Sequence, residues 1–97
     1  MPDPFTIRLS TEAAEDLVRL RQFDRKTIRD EIERHLVHEP TRTSRSRIKR
    51  LTQPFWAQFR LRVNAFRVYY DVEVDNRTVL ISRVIAKGTA LTPMDPP

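Results

Sequence analysis

Arginine and tyrosine side chains recur at alternate positions along one short segment of the chain. Residues 55–74 read FWAQFRLRVNAFRVYYDVEV, and Arg60, Arg62, Arg67 and Tyr69 fall on the polar side of the alternation. Guanidinium groups form forked, charge-assisted hydrogen bonds with phosphate, and aromatic rings stack on nucleobases. These residue types therefore fit the binding of a polyanion. They also fit arginines that merely keep an exposed sheet face soluble, so the alternation leaves both interpretations open.

Two amphipathic strands joined by a tight turn are predicted to carry these side chains. The apolar positions of the first strand are Ala57, Phe59, Leu61 and Val63, and those of the second are Phe66, Val68, Tyr70, Val72 and Val74. The turn contains no glycine, so a two-residue turn has to rest on Asn64, which tolerates positive φ better than most residues. The segment is thus predicted to be an antiparallel hairpin with one apolar face and one cationic, aromatic face.

Composition narrows the class of protein. The chain has 97 residues with 18 basic and 13 acidic side chains, and its net charge of +5 indicates a polyanionic partner such as nucleic acid, or an acidic protein covering the same surface. It has no cysteine and two histidines, so we expect neither a metal site nor a cofactor. It has no long apolar run, so we expect a cytoplasmic protein without a signal peptide or membrane span. The length fits one domain, 1–97, with flexible tails at residues 1–4 and 88–97.

The residues before the hairpin predict a strand and a first helix. Alternation over residues 5–9 is typical of a short strand. Ser10 or Thr11 is the predicted N-cap of a helix that ends near residue 21 or 22. Three acidic side chains early in this helix are assigned to the helix dipole: Glu12, Glu15 and Asp16.

A second helix is predicted to begin at Asp24, with Phe23 packing on Ile28 as a hydrophobic staple. It should stop at about His38, because Pro40 disfavours helical geometry at the residue before it. So short a link between two helices requires an antiparallel helical hairpin, whose seam should lie on one face of the sheet.

The remaining segments complete the predicted order of elements. Residues 41–50, TRTSRSRIKR, are polar and basic and are predicted to form an exposed loop. Residues 79–86 are apolar on both faces except at Arg83, which is typical of an interior strand. The fold class is therefore α+β in the order β-α-α-β-β-β.

Residues 49–87 resemble the RelE/ParE superfamily of bacterial type II toxins. The matching features are a basic sequence with leucine before the hairpin, Lys49-Arg50-Leu51, two arginines on the polar face of the first hairpin strand, Arg60 and Arg62, the motif FRVYY at residues 66–70, and the basic residue Lys87 after the last strand. The resemblance extends over residues 5–87. It implies a twisted antiparallel sheet with the helical hairpin across one face, an antitoxin partner and, in the RelE branch, cleavage of mRNA in the ribosomal A site.

RNA cleavage without a metal needs a base for the 2′-hydroxyl, cations for the phosphate and an acid for the leaving oxygen. In RelE-like toxins lysine, arginine and often a C-terminal tyrosine or histidine fill these roles. Carried over by position, the resemblance implies a catalytic group of Arg67, Arg60 and Lys87. It assigns RNA contacts to Arg62, Tyr69, Lys49 and Arg50.

Two departures from the RelE pattern keep more than one function open. Gln58 stands where the RelE prototype has a further lysine, and no tyrosine or histidine lies near residues 91–94. These departures favour the ParE branch, which acts on DNA gyrase by binding, or a degenerate toxin that only binds its antitoxin. The cationic face of the hairpin favours a ribosome-dependent mRNA interferase, and a nucleic-acid-binding module without target chemistry is a third possibility. In each toxin case the antitoxin should have an acidic binding segment.

Overall fold

Five strands and two helices make up the described part of the chain. The computed structural model describes residues 3–89 and Leu91, so the predicted tails lie partly outside the described residues. The elements are β1 (Thr6–Leu9), α1 (Thr11–Val18), α2 (Gln22–Leu36), β2 (Ile48–Arg50), β3 (Phe59–Val63), β4 (Phe66–Glu73) and β5 (Thr78–Ala86). Neither helix has the length and the apolar sequence that a bilayer crossing requires.

All five strands join one sheet in the order β1-β5-β4-β3-β2. The three strands β3, β4 and β5 pair antiparallel in sequence order, as the alternation predicts. The α+β class is confirmed, but the sheet is mixed because β1 pairs parallel with β5. No tight turn connects β1 to β5, so nothing in the local sequence forces these two strands to be antiparallel.

A short strand, β2, replaces part of the predicted loop over residues 41–50. Ile48 is 4% exposed and pairs with Leu61, so one apolar side chain is enough to tie this basic segment to the core. The Ser44 hydroxyl accepts a hydrogen bond from the Arg47 N–H at 3.0 Å, and the Ser44 N–H donates to the Ile48 carbonyl at 2.9 Å. The segment before β2 is therefore held in a local turn.

Both helices cover the same face of the sheet. The buried core on this face is formed by Ala13 and Leu17 of α1, by Ile28, Ile32 and Leu36 of α2, and by strand residues that include Phe59, Leu61, Val68, Tyr70, Val79 and Ile81. Helix α1 contacts β5 and β1, while α2 contacts β3. The Tyr70 hydroxyl is buried with this core and donates to the Pro40 carbonyl at 2.7 Å, and burial raises its pKa above the ordinary range.

The helix boundaries differ from those expected between residues 18 and 24. The Ser10 cap is confirmed, since its hydroxyl accepts from the Ala13 N–H at 3.0 Å. However, α1 ends at Val18 and α2 begins at Gln22 without a side-chain cap. Phe23 is 73% exposed, so the predicted staple is wrong. Arg25 satisfies carbonyls that the end of α1 leaves without helical partners, including that of Leu17 at 3.3 Å.

Asp16 is buried and attaches α1 to the sheet beside a bulge in β5. It is not an exposed carboxylate that compensates the dipole of α1. Tyr69 pairs with Arg83 and Tyr70 with Ile81, which leaves one residue of β5 bulged between them. The Asp16 carboxylate is 8% exposed and accepts from Arg83 Nε at 2.7 Å, from Arg83 Nη2 at 2.9 Å and from the Val84 N–H at 2.9 Å. The sequence-based assignment of Asp16 to the helix dipole is therefore wrong, and its partner is distant in sequence.

Candidate nucleic-acid interface

The register of β2, β3 and β4 collects cationic side chains on the sheet face opposite the helices. Lys49 pairs with Arg60, Arg60 with Tyr69, and Arg62 with Arg67. Paired residues point to the same side of a sheet, and neighbouring strands lie about 4.8 Å apart. These five side chains therefore form one surface, which we call the outer face.

The hairpin turn at the end of the outer face is tight. Val63 pairs with Phe66, so Asn64 and Ala65 form a two-residue turn, and Asn64 has the predicted positive φ, at 51°. The Lys87 N–H donates to the Ala65 carbonyl at 2.7 Å. This backbone bond fixes the position of Lys87 beside the turn.

Two adjoining cavities open on the outer face. The first, the aromatic groove, has a volume of about 390 Å³ and is lined by Leu51, Phe55, Arg60, Arg67, Tyr69, Ala86, Lys87, Gly88, Thr89 and Leu91. The second, the basic cleft, has a volume of about 320 Å³ and is lined by Ser44, Arg45, Ser46, Arg47, Ile48, Lys49, Arg60, Arg62 and Arg67. Arg60 and Arg67 line both cavities. The structure thus brings all three side chains of the predicted catalytic group, which also includes Lys87, into the aromatic groove.

Arg67 lies where the two cavities meet. Its Nη1 donates to the Asn64 carbonyl at 3.1 Å and to the Phe66 carbonyl at 2.9 Å. Partial burial, followed by the charges of Arg62 and Arg60, lowers the pKa of Arg67, while Tyr69 acts in the opposite direction. Arg62 and Arg60 thus place further positive charge near Arg67, and a bound anion would relieve the repulsion among the three guanidinium groups.

The cations of the two cavities have no carboxylate partners among the described residues. The basic side chains that do form ion pairs are Arg21, Lys26, Arg34, His35, Arg42 and Arg83. None of these lines the aromatic groove or the basic cleft. Within the part of the chain that the structure describes, no carboxylate therefore compensates the positive charge of either cavity.

Tyr69 lies on the outer face but is only 5% exposed. The ring centroid of Trp56 lies 5.0 Å from that of Tyr69, and the ring of Phe55 stacks on both, at 4.8 Å from Trp56 and 5.7 Å from Tyr69. We call these three rings the aromatic cluster. The Trp56 indole N–H is buried there and has no hydrogen-bond partner among the described residues. Because of this cover, Tyr69 presents little of its ring to a ligand.

Arg50 and Gln58 take positions that the sequence did not reveal. Arg50 pairs with the buried Phe59, so it lies on the helix-bearing face, with its guanidinium 5.2 Å from the Phe59 ring centroid. It does not join the other predicted RNA contacts.

Gln58 extends the β3–β4 ladder: its N–H donates to Asp71 Oδ1, and its Oε1 accepts from the Val72 N–H, both at 2.8 Å. Gln58 is thus a structural residue here.

Among the lining residues that were not predicted as site residues, three have side chains suited to contacting a nucleic acid: Arg45, Arg47 and Phe55. Arg45 and Arg47 reach the basic cleft because the turn before β2 carries them there, and the basic run over residues 41–50 was the available signal. Phe55 lines the aromatic groove from a position outside any strand, where alternation gives no information about which face it occupies.

No group of three or more His, Asp or Glu side chains among the described residues is placed to hold a metal ion.

Comparisons with known proteins agree with the fold and with the resemblance seen in the sequence. The chain is similar to a solved toxin-antitoxin complex, RelBE2 from Mycobacterium tuberculosis, at 26% identity and a TM-score of 0.77, covering 92% of this chain and 98% of that one. It shares its fold with the archaeal RelE-RelB complex from Pyrococcus horikoshii, at 19% identity and a TM-score of 0.66, covering 89% of this chain and 98% of the other. A search of curated protein sequences gave no match. The profile of the family "ParE toxin of type II toxin-antitoxin system" matches residues 7–90, so this chain is a member of that toxin family within the RelE/ParE superfamily.

Proposed function

We propose that this toxin is a ribosome-dependent mRNA interferase that cleaves RNA without a metal. The observation that carries the proposal is the aromatic groove, where Arg60, Arg67 and Lys87 line one cavity with no carboxylate to neutralise them among the described residues. A phosphodiester is an anion that such a cavity would bind, and its cleavage develops further negative charge that the same cations would stabilise.

Each of the three cations has a distinct role in the proposed reaction. Arg67 holds the scissile phosphate through forked hydrogen bonds, using the N–H groups that its two bonds to backbone carbonyls leave available. Arg60 provides a second cation from the neighbouring strand. Lys87, beside the hairpin turn, donates a proton to the leaving 5′-oxygen as its bond to phosphorus breaks, and the attacking 2′-hydroxyl releases its own proton to water. This role for Lys87 replaces the C-terminal tyrosine or histidine of RelE-like toxins.

The basic cleft extends the proposed RNA surface beyond the reacting phosphate. Arg62 and Lys49 contribute to it with Arg45 and Arg47, and it shares Arg60 and Arg67 with the aromatic groove. An RNA strand that crosses from one cavity to the other would meet cations throughout. Its binding should therefore weaken steeply as salt is raised.

An antitoxin is the second proposed partner. Both structural neighbours were solved as toxin-antitoxin complexes, and the family is defined by such systems. We expect the antitoxin of this chain to have an acidic segment that neutralises the outer face. The isolated toxin should then bind RNA in a salt-dependent way, and the toxin-antitoxin complex should not.

Inhibition of DNA gyrase by binding is the second candidate function. It is favoured by the match to the ParE toxin family and by Gln58, which is bonded into the β3–β4 ladder where the RelE prototype has a lysine. In this case the same cations would contact gyrase and no RNA would be cut. A degenerate toxin that only binds its antitoxin would show neither activity.

The two functions are separated by a pair of assays with the purified toxin. The first adds the toxin to a cell-free translation reaction and maps the 5′ ends of the message, with a reaction lacking ribosomes as the control. The second adds it to a gyrase supercoiling assay. The interferase proposal predicts new 5′ ends only where ribosomes are present, and unchanged supercoiling. Intact messages together with inhibited supercoiling would contradict it.

A further inference from the structure

We propose that Phe55 is the platform on which one nucleobase of single-stranded RNA stacks in the aromatic groove. The inference deepens the proposed function and rests on it only in taking RNA as the ligand. Phe55 becomes a substrate-binding residue that orients the nucleotide while the cations hold its phosphate.

Among the three rings of the aromatic cluster, Phe55 is the one that offers surface to a ligand. Phe55 and Trp56 are both partly exposed, but only Phe55 of these two lines the aromatic groove, and Tyr69 is almost fully buried. The planes of Phe55 and Trp56 are inclined by 27°, and those of Phe55 and Tyr69 by 26°. Two stacked rings therefore hold Phe55 in place, and a rigid aromatic surface loses little conformational entropy when a base stacks on it.

The same groove is also lined by cations. Phe55, Leu51 and Leu91 provide aromatic and apolar surface, and Arg60, Arg67 and Lys87 provide positive charge. A nucleotide joins an aromatic base to a phosphate through one ribose, so it presents both kinds of group at short range. The volume of about 390 Å³ lies near the lower end of the range for small-ligand sites, roughly 300–1,000 Å³, which suits a nucleotide unit more than a folded partner.

Base stacking on an aromatic side chain is sequence-tolerant, because every base has a flat face. The proposal therefore predicts that the toxin distinguishes RNA with bases from RNA without them at this site, and does not strongly prefer one base. Replacing such an aromatic side chain by alanine weakens binding by about 5-fold to 140-fold. Replacement by leucine keeps some apolar contact, so we expect a loss of about tenfold for Phe55→Leu.

The test measures the affinity of the full-length protein for two non-cleavable probes, a 2′-O-methyl RNA trinucleotide and the same backbone with an abasic central unit. Each probe has a fluorescent 5′ label for anisotropy. Trp56 is the single tryptophan of the chain and its ring lies 4.8 Å from that of Phe55, so its emission gives a second, local readout. The variants are Phe55→Leu, Phe55→Tyr and the matched control Phe23→Leu, whose phenylalanine is exposed on α2 and lines neither the aromatic groove nor the basic cleft.

The proposal predicts that the wild type binds the complete trinucleotide more tightly than the abasic probe, with a change in Trp56 emission. Phe55→Leu should lose this preference, Phe55→Tyr should retain it, and Phe23→Leu should behave as the wild type. Equal binding of both probes by the wild type would overturn the proposal without requiring any variant to fold. If the wild type binds both probes equally while cleavage of messages persists, the Phe55 assignment fails and the interferase function stands. If it binds neither probe, the Phe55 assignment fails, and the translation assay alone then decides the interferase function.

Discussion

Removing the Asp16 carboxylate should destabilise the protein more than any other change to an acidic residue of α1. In Asp16→Ala, Arg83 loses two charge-assisted bonds of 2.7 and 2.9 Å, and the Val84 N–H loses its acceptor at 2.9 Å. Deleting one partner of a buried ion pair costs about 3–5 kcal/mol, because the remaining charge is left in the interior. The Arg83 side chain is 18% exposed, so water partly solvates its charge. We therefore expect a loss of stability at the lower end of this range, about 3 kcal/mol.

A loss of this size is large for a domain of 97 residues, whose total stability should be about 5–15 kcal/mol. At about 4–8 °C for each kcal/mol, the melting temperature should fall by roughly 12–24 °C. The measurement is thermal and urea unfolding followed by circular dichroism. Glu15→Ala is the matched control, since Glu15 is exposed on the same helix, and it should change stability by less than about 0.5 kcal/mol.

A second pair of variants tests the physical cause of the loss. Asp16→Asn keeps an acceptor for the Val84 N–H and should cost less than Asp16→Ala. Replacing both partners, as in Asp16→Leu with Arg83→Met, should recover much of the stability, because no charge is then left buried. If Asp16→Ala were no more destabilising than Glu15→Ala, Asp16 would not anchor α1 to the sheet.

Two further predictions concern the core and the two faces of β2. Tyr70→Phe leaves the Pro40 carbonyl without its 2.7 Å donor and should cost about 1–3 kcal/mol in urea unfolding; an unchanged midpoint would show that water replaces the hydroxyl. Lys49→Ala should weaken RNA binding and reduce the slope of log affinity against log salt by about 0.7. Arg50→Ala should leave this slope unchanged. It should lose only the cation–π contact with Phe59, which corresponds to about 0.5–1 kcal/mol of stability. Equal effects of these two variants on RNA binding would refute the assignment of Arg50 to the helix-bearing face.

Local periodicity was enough to predict the central hairpin. The alternation correctly identified the inward side chains between Phe59 and Val72, and it placed Arg60, Arg62 and Arg67 together on the outer face. It was wrong at its ends, because Ala57 is buried with Tyr69 on the other face and Val74 is 61% exposed. The turn at Asn64 followed from the chemistry of a single residue. These features depend on neighbours in sequence, which is why sequence reasoning can reach them.

Features that depend on distant partners could not be read from local patterns. Asp16 resembled an ordinary dipole residue because Arg83 lies in the last strand of the sheet. Arg50 was expected to contact RNA from an exposed loop, but β2 begins with the buried Ile48, and the alternation from Ile48 puts Arg50 on the helix-bearing face. Tyr69 was placed on the correct face, yet its burial depends on Phe55 and Trp56, which come from an irregular segment.

The most direct test of the interferase proposal compares three proteins induced in bacteria: the wild type, Arg67→Ala and Arg29→Ala. Arg29 is exposed on α2 and lines neither the aromatic groove nor the basic cleft, so it controls for the loss of one positive charge. The measurement is growth together with the 5′ ends of a translated message. We expect growth arrest with cleavage inside codons for the wild type and Arg29→Ala, and intact messages for Arg67→Ala. Growth arrest by the wild type with intact messages and an induced DNA-damage response would contradict the interferase function and support inhibition of gyrase.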